Sequence, residues 1–525
     1  MLYVDPEVCI DCGACADVCP VDAIVADYDL AVKDRAYIEI NNEYFEQPGA
    51  RGYSAKRALR QRPAVTSDVL RVAIVGTGPA ACYAAQELLT MAAEGLRIDM
   101  FERLLVPGGL VRFGVAPDHL KTKEVANGFE RIFDDKRLKL HLGVDVGRDL
   151  LHADMIAGYD AVIYAVGMLS SRSLGIKGED LRGSHSAAEF AAWYNGHPDF
   201  ADFSCDLDAE RAIVIGNGNV ALDVARVLMQ NVGDLHRSDI AEHALAALKQ
   251  SRLQEVVVLG RRGPLDAAFT LPELLGLRER EDFALWTDLP LGIEDDPLQQ
   301  EVTALAPWAA RQKLRAILDL PRQQPAGRSI RLSFLRSPEA VIGEHRVEGV
   351  MQTRNALTRN RDGKIIVAPT GHNLTEEAGL ILRSVGFRGD AIAGVPFDET
   401  RGTIPNDGGR VRDPTTGDTL RGVYVTGWIK RGPSGVIGTN KSCAHETVNA
   451  LLADHSAERL GGSTSQDQSD RQSMTLPRHY ELADWRAIDQ HERASGRAVG
   501  RPRVKLVREA EMLRAANAVW SSSDG

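Results

Sequence analysis

The sequence predicts an α/β protein: two parallel-sheet units built from strand, turn and helix, preceded by a small α+β unit. Three observations predict it. Four cysteines crowd into eleven residues near the start. Two glycine turns each sit between an apolar strand and a helix. From Leu70, and again from Arg211, apolar strands alternate with amphipathic helices, the pattern of βαβ units.

The small unit comes first. Cys9, Cys12, Cys15, Cys19 and Pro20 read C-x2-C-x2-C-x3-C-P. This is the cysteine spacing of bacterial-type iron–sulfur ferredoxins, in which thiolates on a tight loop grip a cluster. Structural zinc sites usually split their ligands into two separated pairs, which this run does not. The four cysteines are therefore the candidate metal ligands, for a [4Fe–4S] cluster. Residues 36–40 alternate as a short strand should. Cys82, Cys205 and Cys443 stand alone and read as small buried hydrophobes.

Bulk properties narrow the class. The 525 residues are 44% hydrophobic and 26% charged, an ordinary globular balance. No apolar run reaches the ~18 residues of a membrane span, and no cleavable leader is evident. Cysteines gathered in a cluster motif suit a reducing cytoplasm. Of the net charge of −11, residues 1–48 contribute −9, from eleven acids against two bases. An acidic head on a near-neutral body argues against nucleic-acid binding. It suits an electron carrier that docks on a basic surface.

The first glycine turn follows the strand from Val72 and contains Gly76, Gly78 and Ala81, a G-x-G-x-x-A run opening a helix over 83–91. Gly76 permits the tight turn, Gly78 lets backbone approach a pyrophosphate, and Ala81 packs helix on strand. The helix N-terminus adds amide donors. The next strand ends in Glu102, an acid that bonds ribose hydroxyls and repels a 2′-phosphate; the site suits FAD or NAD. The second turn holds Gly216, Asn217, Gly218, Asn219, Val220 and Ala221. Its second strand, from Val256, ends at Gly260 with Arg261 and Arg262, guanidinium groups fit for a 2′-phosphate, so this site suits NADP. One such turn is a weak signal; two, with opposite charges at the second-strand ends, are strong. Both units are thus Rossmann-like dinucleotide-binding domains. Strands ending at Gly167 and Gly427 read as corners passing close beneath a cofactor. Trp428 is placed to stack on a ring system, and Gly435 leaves room where flavin and nicotinamide meet.

These runs resemble the adrenodoxin-reductase type of ferredoxin–NADP reductase over roughly residues 69–460. The signatures are Gly109 to His119, Gly216 to Arg226, Gly260 to Leu265 and Trp428 to Asn440. The cysteine run is similar to the ferredoxin fused ahead of the reductase in a bacterial subgroup. The resemblance implies FAD contacts from Ala80, Glu102, Leu110, Val146, Trp428, Gly435, Val436 and Ile437. It implies NADP contacts from Asn217 to Val220, Arg261, Arg262, Glu273 and Gly435. It makes His119 and Asp223 a pair near the flavin that relays protons. One feature departs from the family: fused ferredoxins of this kind carry two cysteine runs, and the fourth cysteine of each serves the other cluster. With a single run, either Cys19 completes one [4Fe–4S], or an upstream half supplies the fourth ligand and a second cluster.

The domains expected are 1–48 as the iron–sulfur unit, 49–68 as a basic linker, 69–170 with 393–460 for FAD, 171–392 for NADP, and 461–525 as a polar, mobile linker and a helical tail. The expected activity is that of an FAD-dependent NADPH–ferredoxin oxidoreductase: hydride passes from NADPH to FAD, then single electrons to iron–sulfur centres and to ferredoxin or another one-electron acceptor protein. Two other readings stand beside it: the NADPH-input subunit of a larger reductase, like the glutamate-synthase small subunit, and a redox sensor without a cluster.

Overall fold

The computed structural model describes residues 4–6, 9, 15, 24–27, 30, 35–46, 70–91, 95–460 and 476–522. Cys12, Cys19, the basic linker and the polar stretch 461–470 lie outside the described residues. The chain divides into two compact units, residues 1–112, 121–169 and 388–486, and residues 113–120, 170–387 and 487–525. Among the described residues no helix is long and apolar enough to cross a membrane.

In the head, the strand expected over 36–40 is instead the start of an α-helix, Ala36–Glu46. Five alternating residues fit either period. The following residues decide it: Ile38, Asn41, Asn42 and Phe45 are half-buried while Tyr37, Glu39, Ile40 and Glu43 are exposed, which is helical spacing. Asn41 fastens this helix to the chain start, accepting from the Val4 amide at 2.8 Å and donating to its carbonyl at 2.7 Å.

The sheet of the first unit has seven strands in the order Asn406–Asp407, Arg410–Arg412, Thr419–Val425, Ala161–Tyr164, Leu70–Val75, Leu96–Glu102, Leu138–Leu142. The last five pair in parallel and the first two are an antiparallel edge. Val72, Ala73 and Ile74 are fully buried, as a parallel sheet covered on both faces requires. The helix Pro79–Met91 starts with proline, which lacks only an amide that has no partner there anyway. Its Ala80, Ala81, Ala84 and Ala85 are buried, small enough for close packing.

The second unit holds six parallel strands in the order Ser184–Ser186, Leu380–Arg383, Arg211–Ile215, Glu255–Leu259, Ser329–Ser333, Ala284–Thr287. A three-stranded antiparallel sheet, Arg336–Ile342, Gly349–Arg359 and Ile365–Glu377, belongs to the same unit. The helix Ala187–Tyr194 opens on a capping box, with the Ser186 hydroxyl accepting from the Ala188 and Glu189 amides. Near the C-terminus run the helices Leu482–Ala498 and Glu509–Ser522. Arg501 is enclosed against Glu242 at 2.5 Å, and Lys505 against Asp239 at 3.1 Å. Those charges are used in holding the tail to the second unit.

The two glycines of the second turn differ in what they tolerate. Gly216 has φ +120°, and a Cβ there would run into the carbonyl oxygen of Ser384. Gly218 has φ −90° and nothing within 4 Å of an added Cβ. Gly216→Ala is expected to cost about 3 kcal/mol or more, and Gly218→Ala about 1 kcal/mol or less. Urea unfolding of the two variants measures the difference.

Candidate functional site

The first glycine turn is shaped by three backbone contacts. The Gly76 amide donates to the Phe101 carbonyl at 2.7 Å and the Ala165 amide to the Val75 carbonyl at 2.8 Å. With φ +107°, Gly76 lies so close to the second of these chains that a Cβ would sit 2.6 Å from the Ala165 carbonyl oxygen. Gly109, at φ +50°, brings its backbone against Gly78, where an added Cβ would be 2.9 Å from the Gly78 Cα. Two glycines facing one another leave a cradle of bare backbone at the start of the helix Pro79–Met91. That is the shape a diphosphate needs.

Glu102 closes one side of the cradle. Its Oε2 accepts from the Thr77 hydroxyl at 2.6 Å and its Oε1 from the Leu104 amide at 3.1 Å. Thr77, fully buried, in turn accepts from the Gly108 amide at 3.3 Å. Burial raises the Glu102 pKa, and the hydrogen bond from Thr77 opposes that rise. An enclosed, oriented carboxyl beside bare backbone fits the ribose and diphosphate of FAD. Sequence reasoning singled out Glu102 and missed Thr77, although a hydroxyl between the two turn glycines is a readable signal.

The remaining residues expected at the flavin fall in the same unit. Ala80 packs beneath Gly427, where a Cβ would lie 2.5 Å from the Ala80 Cβ. Leu110 is half-buried directly after Gly109, and Trp428 is half-buried at the start of the short helix Trp428–Arg431. Gly435 is exposed with φ +79°, and Val436 and Ile437 are half-buried beside it. Arg431 orders this loop, donating to the Ser434 carbonyl, to Thr439 Oγ1 at 3.0 Å and to Asn440 Oδ1 at 3.1 Å. Val146 is buried in the core with Phe101 and Val144.

The second turn repeats the design. The Gly216 amide donates to the Leu259 carbonyl at 2.8 Å, and Gly218 caps the helix Asn219–Met229. Asn217 and Asn219 tie down the neighbouring chain: the Asn217 carbonyl accepts from the Phe269 amide at 2.9 Å, and Asn219 Oδ1 from the Thr270 amide at 2.8 Å. Val220 is half-buried behind them. Arg261 and Arg262 have exposed side chains on a fixed backbone. The Arg262 carbonyl accepts from the Leu335 amide at 3.1 Å, and the Arg261 carbonyl from Asn355 Nδ2 at 2.8 Å. The Arg262–Asp266 pair, at 4.0 Å in solvent, holds little. Two guanidinium groups at a strand end beside a glycine turn fit the 2′-phosphate of NADP.

His119, Asp223 and Glu273 do come together, in the second unit. His119 Nδ1 is 3.9 Å from Asp223 Oδ1, and Nε2 is 3.9 Å from Glu273 Oε2. Their ligand-type atoms all lie within 4.8 Å of one another. The cation that compensates them is Arg226, which sequence reasoning did not single out. Burial raises the Glu273 pKa, Asp223 adds to the rise, and His119 and Arg226 oppose it. For Asp118, burial acts upward but the Arg226 charge prevails, and its pKa is lowered. In the head, Cys9 is exposed and Cys15 half-buried. A set of four thiolates is the donor chemistry an iron–sulfur cluster takes.

Comparison with known proteins shows the family. Residues 70–262 match the family described as pyridine nucleotide-disulphide oxidoreductase, and residues 2–25 the 4Fe-4S binding domain. A probable ferredoxin/ferredoxin–NADP reductase of Mycobacterium tuberculosis is 44% identical, over 98% of this chain and 88% of that protein. The mitochondrial NADPH:adrenodoxin oxidoreductase of Arabidopsis thaliana is 36% identical, over 86% of this chain and 96% of its own. The solved structure of Mycobacterium tuberculosis FprA in complex with NADPH superposes with a TM-score of 0.77 at 41% identity, covering 85% of this chain and 99% of that one. The chain therefore belongs to the adrenodoxin-reductase-type ferredoxin–NADP reductases, in the form that carries a 4Fe-4S domain ahead of the reductase.

Proposed function

We propose that this chain is an FAD-dependent oxidoreductase that moves electrons from NADPH to an iron–sulfur centre and on to ferredoxin or another one-electron acceptor protein in the cytoplasm. The carrying observation is the contrast between its two glycine turns, an enclosed Glu102 beside one and exposed Arg261 and Arg262 beside the other. A carboxylate and a guanidinium pair select opposite ends of the nucleotide range. One chain thereby holds a site for FAD and a site for NADPH.

FAD, when bound, supplies the conversion between a two-electron hydride donor and one-electron acceptors. The chain's own residues bind and orient. Gly78, Gly109 and the amides opening the helix Pro79–Met91 take the diphosphate, and Glu102, aimed by Thr77, takes ribose hydroxyls. Ala80, Leu110, Val146 and Trp428 line the FAD domain, which is assigned to residues 69–170 and 393–460. Asn217 to Val220 receive the NADPH diphosphate, and Arg261 and Arg262 its 2′-phosphate, in the domain assigned to 171–392. Glu273 is assigned to NADPH, Gly435, Val436 and Ile437 to the flavin, and Gly435 to NADPH as well. His119 and Asp223 handle the one proton that NADPH oxidation releases for every two electrons delivered. Cys9, Cys12, Cys15 and Cys19 hold the cluster.

Three outcomes are expected. Gly78→Val fills the cradle with a branched side chain, and the variant should purify with little bound flavin; a normal FAD absorbance would refute the assignment. Arg262→Ala should lose about 1.5–3 kcal/mol of NADPH binding, roughly tenfold to a hundredfold, with NADH rates little changed; steady-state rates with both nucleotides measure this. Cys9→Ala and Cys15→Ala should lose iron and the reduction of protein acceptors while keeping NADPH-driven ferricyanide reduction. Metal analysis beside both assays checks it, and Cys19→Ala distinguishes a single complete cluster from one that draws its fourth ligand elsewhere.

A further inference from the structure

Three carboxylates surround His119, and one side chain touches all of them. Arg226 is 5% exposed. It grips Asp118 with two parallel bonds, Nε to Oδ2 at 2.8 Å and Nη2 to Oδ1 at 3.0 Å. Nη2 also reaches Asp223 Oδ1 at 2.8 Å, and Nη1 lies 3.8 Å from Glu273 Oε2. The same Asp223 Oδ1 and Glu273 Oε2 are the atoms that face the two ring nitrogens of His119, each at 3.9 Å. Each oxygen thus stands between the guanidinium and the imidazole.

That distance is too long for a hydrogen bond and short enough to close through a small shift or one water. Without a cation between them, Asp223 and Glu273 would repel one another and collapse onto the imidazole. The fork geometry matters, because a planar guanidinium fixed by Asp118 can aim its remaining donors in set directions, which an ammonium cannot. Asp118 is itself secured. With the Gln230 amide turned to satisfy its neighbours, its nitrogen donates to Asp118 Oδ2 at 2.9 Å and its oxygen accepts from Arg280 at 3.2 Å. Asn219, Asp223, Arg226 and Gln230 fall on one stripe of helical spacing that starts at the glycine turn.

We propose that Arg226 is the positioning residue of this cluster: locked by Asp118, it holds Asp223 and Glu273 off the imidazole, so that His119 stays available to exchange a proton during NADPH oxidation. The proposal rests on reading His119 as the proton-exchanging group. The charged and titratable groups facing Arg226 and His119 are Asp118 on the same loop, Asp223 on the helix Asn219–Met229, Glu273 on the helix Leu271–Arg278, and Tyr194 on the helix Ala187–Tyr194. The Tyr194 hydroxyl is buried without a hydrogen-bond partner among the described residues, and burial raises its pKa. It therefore stays neutral.

The test is the pH profile of flavin bleaching by NADPH in the holoenzyme, followed by stopped flow, with flavin content and melting temperature recorded for every variant. His119→Gln should remove the breakpoint of the wild-type profile; if it does not, the reading of His119 fails, and this inference with it. Given that loss, Arg226→Met should leave His119 among uncompensated carboxylates, raise the breakpoint by about one pH unit and slow bleaching at neutral pH about tenfold. Arg226→Lys keeps the charge and loses the fork, so its breakpoint should stay while the rate falls several-fold. A folded Arg226→Met enzyme with the wild-type breakpoint and rate would overturn the proposal. Should that variant fail to fold, Arg226→Lys carries the test: it keeps the charge and loses the fork, and a wild-type rate in that folded variant would overturn the proposal equally.

Discussion

Both sheets depend on a steric constraint at one point each, where a glycine passes under the carbonyl of a neighbouring strand's exit. In the first unit that contact is Gly76 beneath Ala165, and in the second it is Gly216 beneath Ser384. Each glycine sits at positive φ directly after the central parallel strand. The close approach aims the following helix so that its opening amides face the mouth of the sheet. Displace it, and the helix start, the acid or arginine pair at the next strand end, and the loops that close over them lose their common reference. The chemistry of both sites is therefore anchored in backbone, and side chains add selectivity.

Selectivity follows from how each charge is treated. Glu102 is enclosed and doubly hydrogen-bonded, so its direction is set before any nucleotide arrives. Arg261 and Arg262 are exposed and pay little desolvation, yet their backbone is fastened to the antiparallel sheet by Leu335 and Asn355. Under the proposed assignment, an acid serving uncharged hydroxyls benefits from rigid aim, and a cation serving a mobile dianion benefits from reach.

The glycine turns, the charges at the strand ends and the parallel strands were legible in the sequence, because each depends on local residue type at fixed spacing. The short strand over 36–40 was misread, since five alternating residues fit two periods and the deciding burial pattern lies further on, at Asn41, Asn42 and Phe45. Thr77 escaped notice because its meaning comes from Glu102, twenty-five positions away. Arg226 was hidden more deeply. Its partner Asp118 is 108 positions distant, and a buried arginine on an amphipathic helix looks in sequence like a surface one. Local grammar reveals cradles; only the folded chain reveals which charges share a cage.

The fastening of the arginine turn has a consequence for how such a protein can change over generations. Leu335 takes φ +56°, an uncommon backbone state for a leucine, while receiving Asn355's amide on its carbonyl at 2.7 Å and giving its own amide to Arg262. The uncommon backbone state thus lies in the bend just before the antiparallel sheet, outside the two arginine side chains. Arg261 and Arg262 contribute almost nothing to the fold, so replacing them disturbs no packing. Under the proposed NADP assignment, coenzyme preference is a property that mutation can explore at two surface positions, with the scaffold left intact.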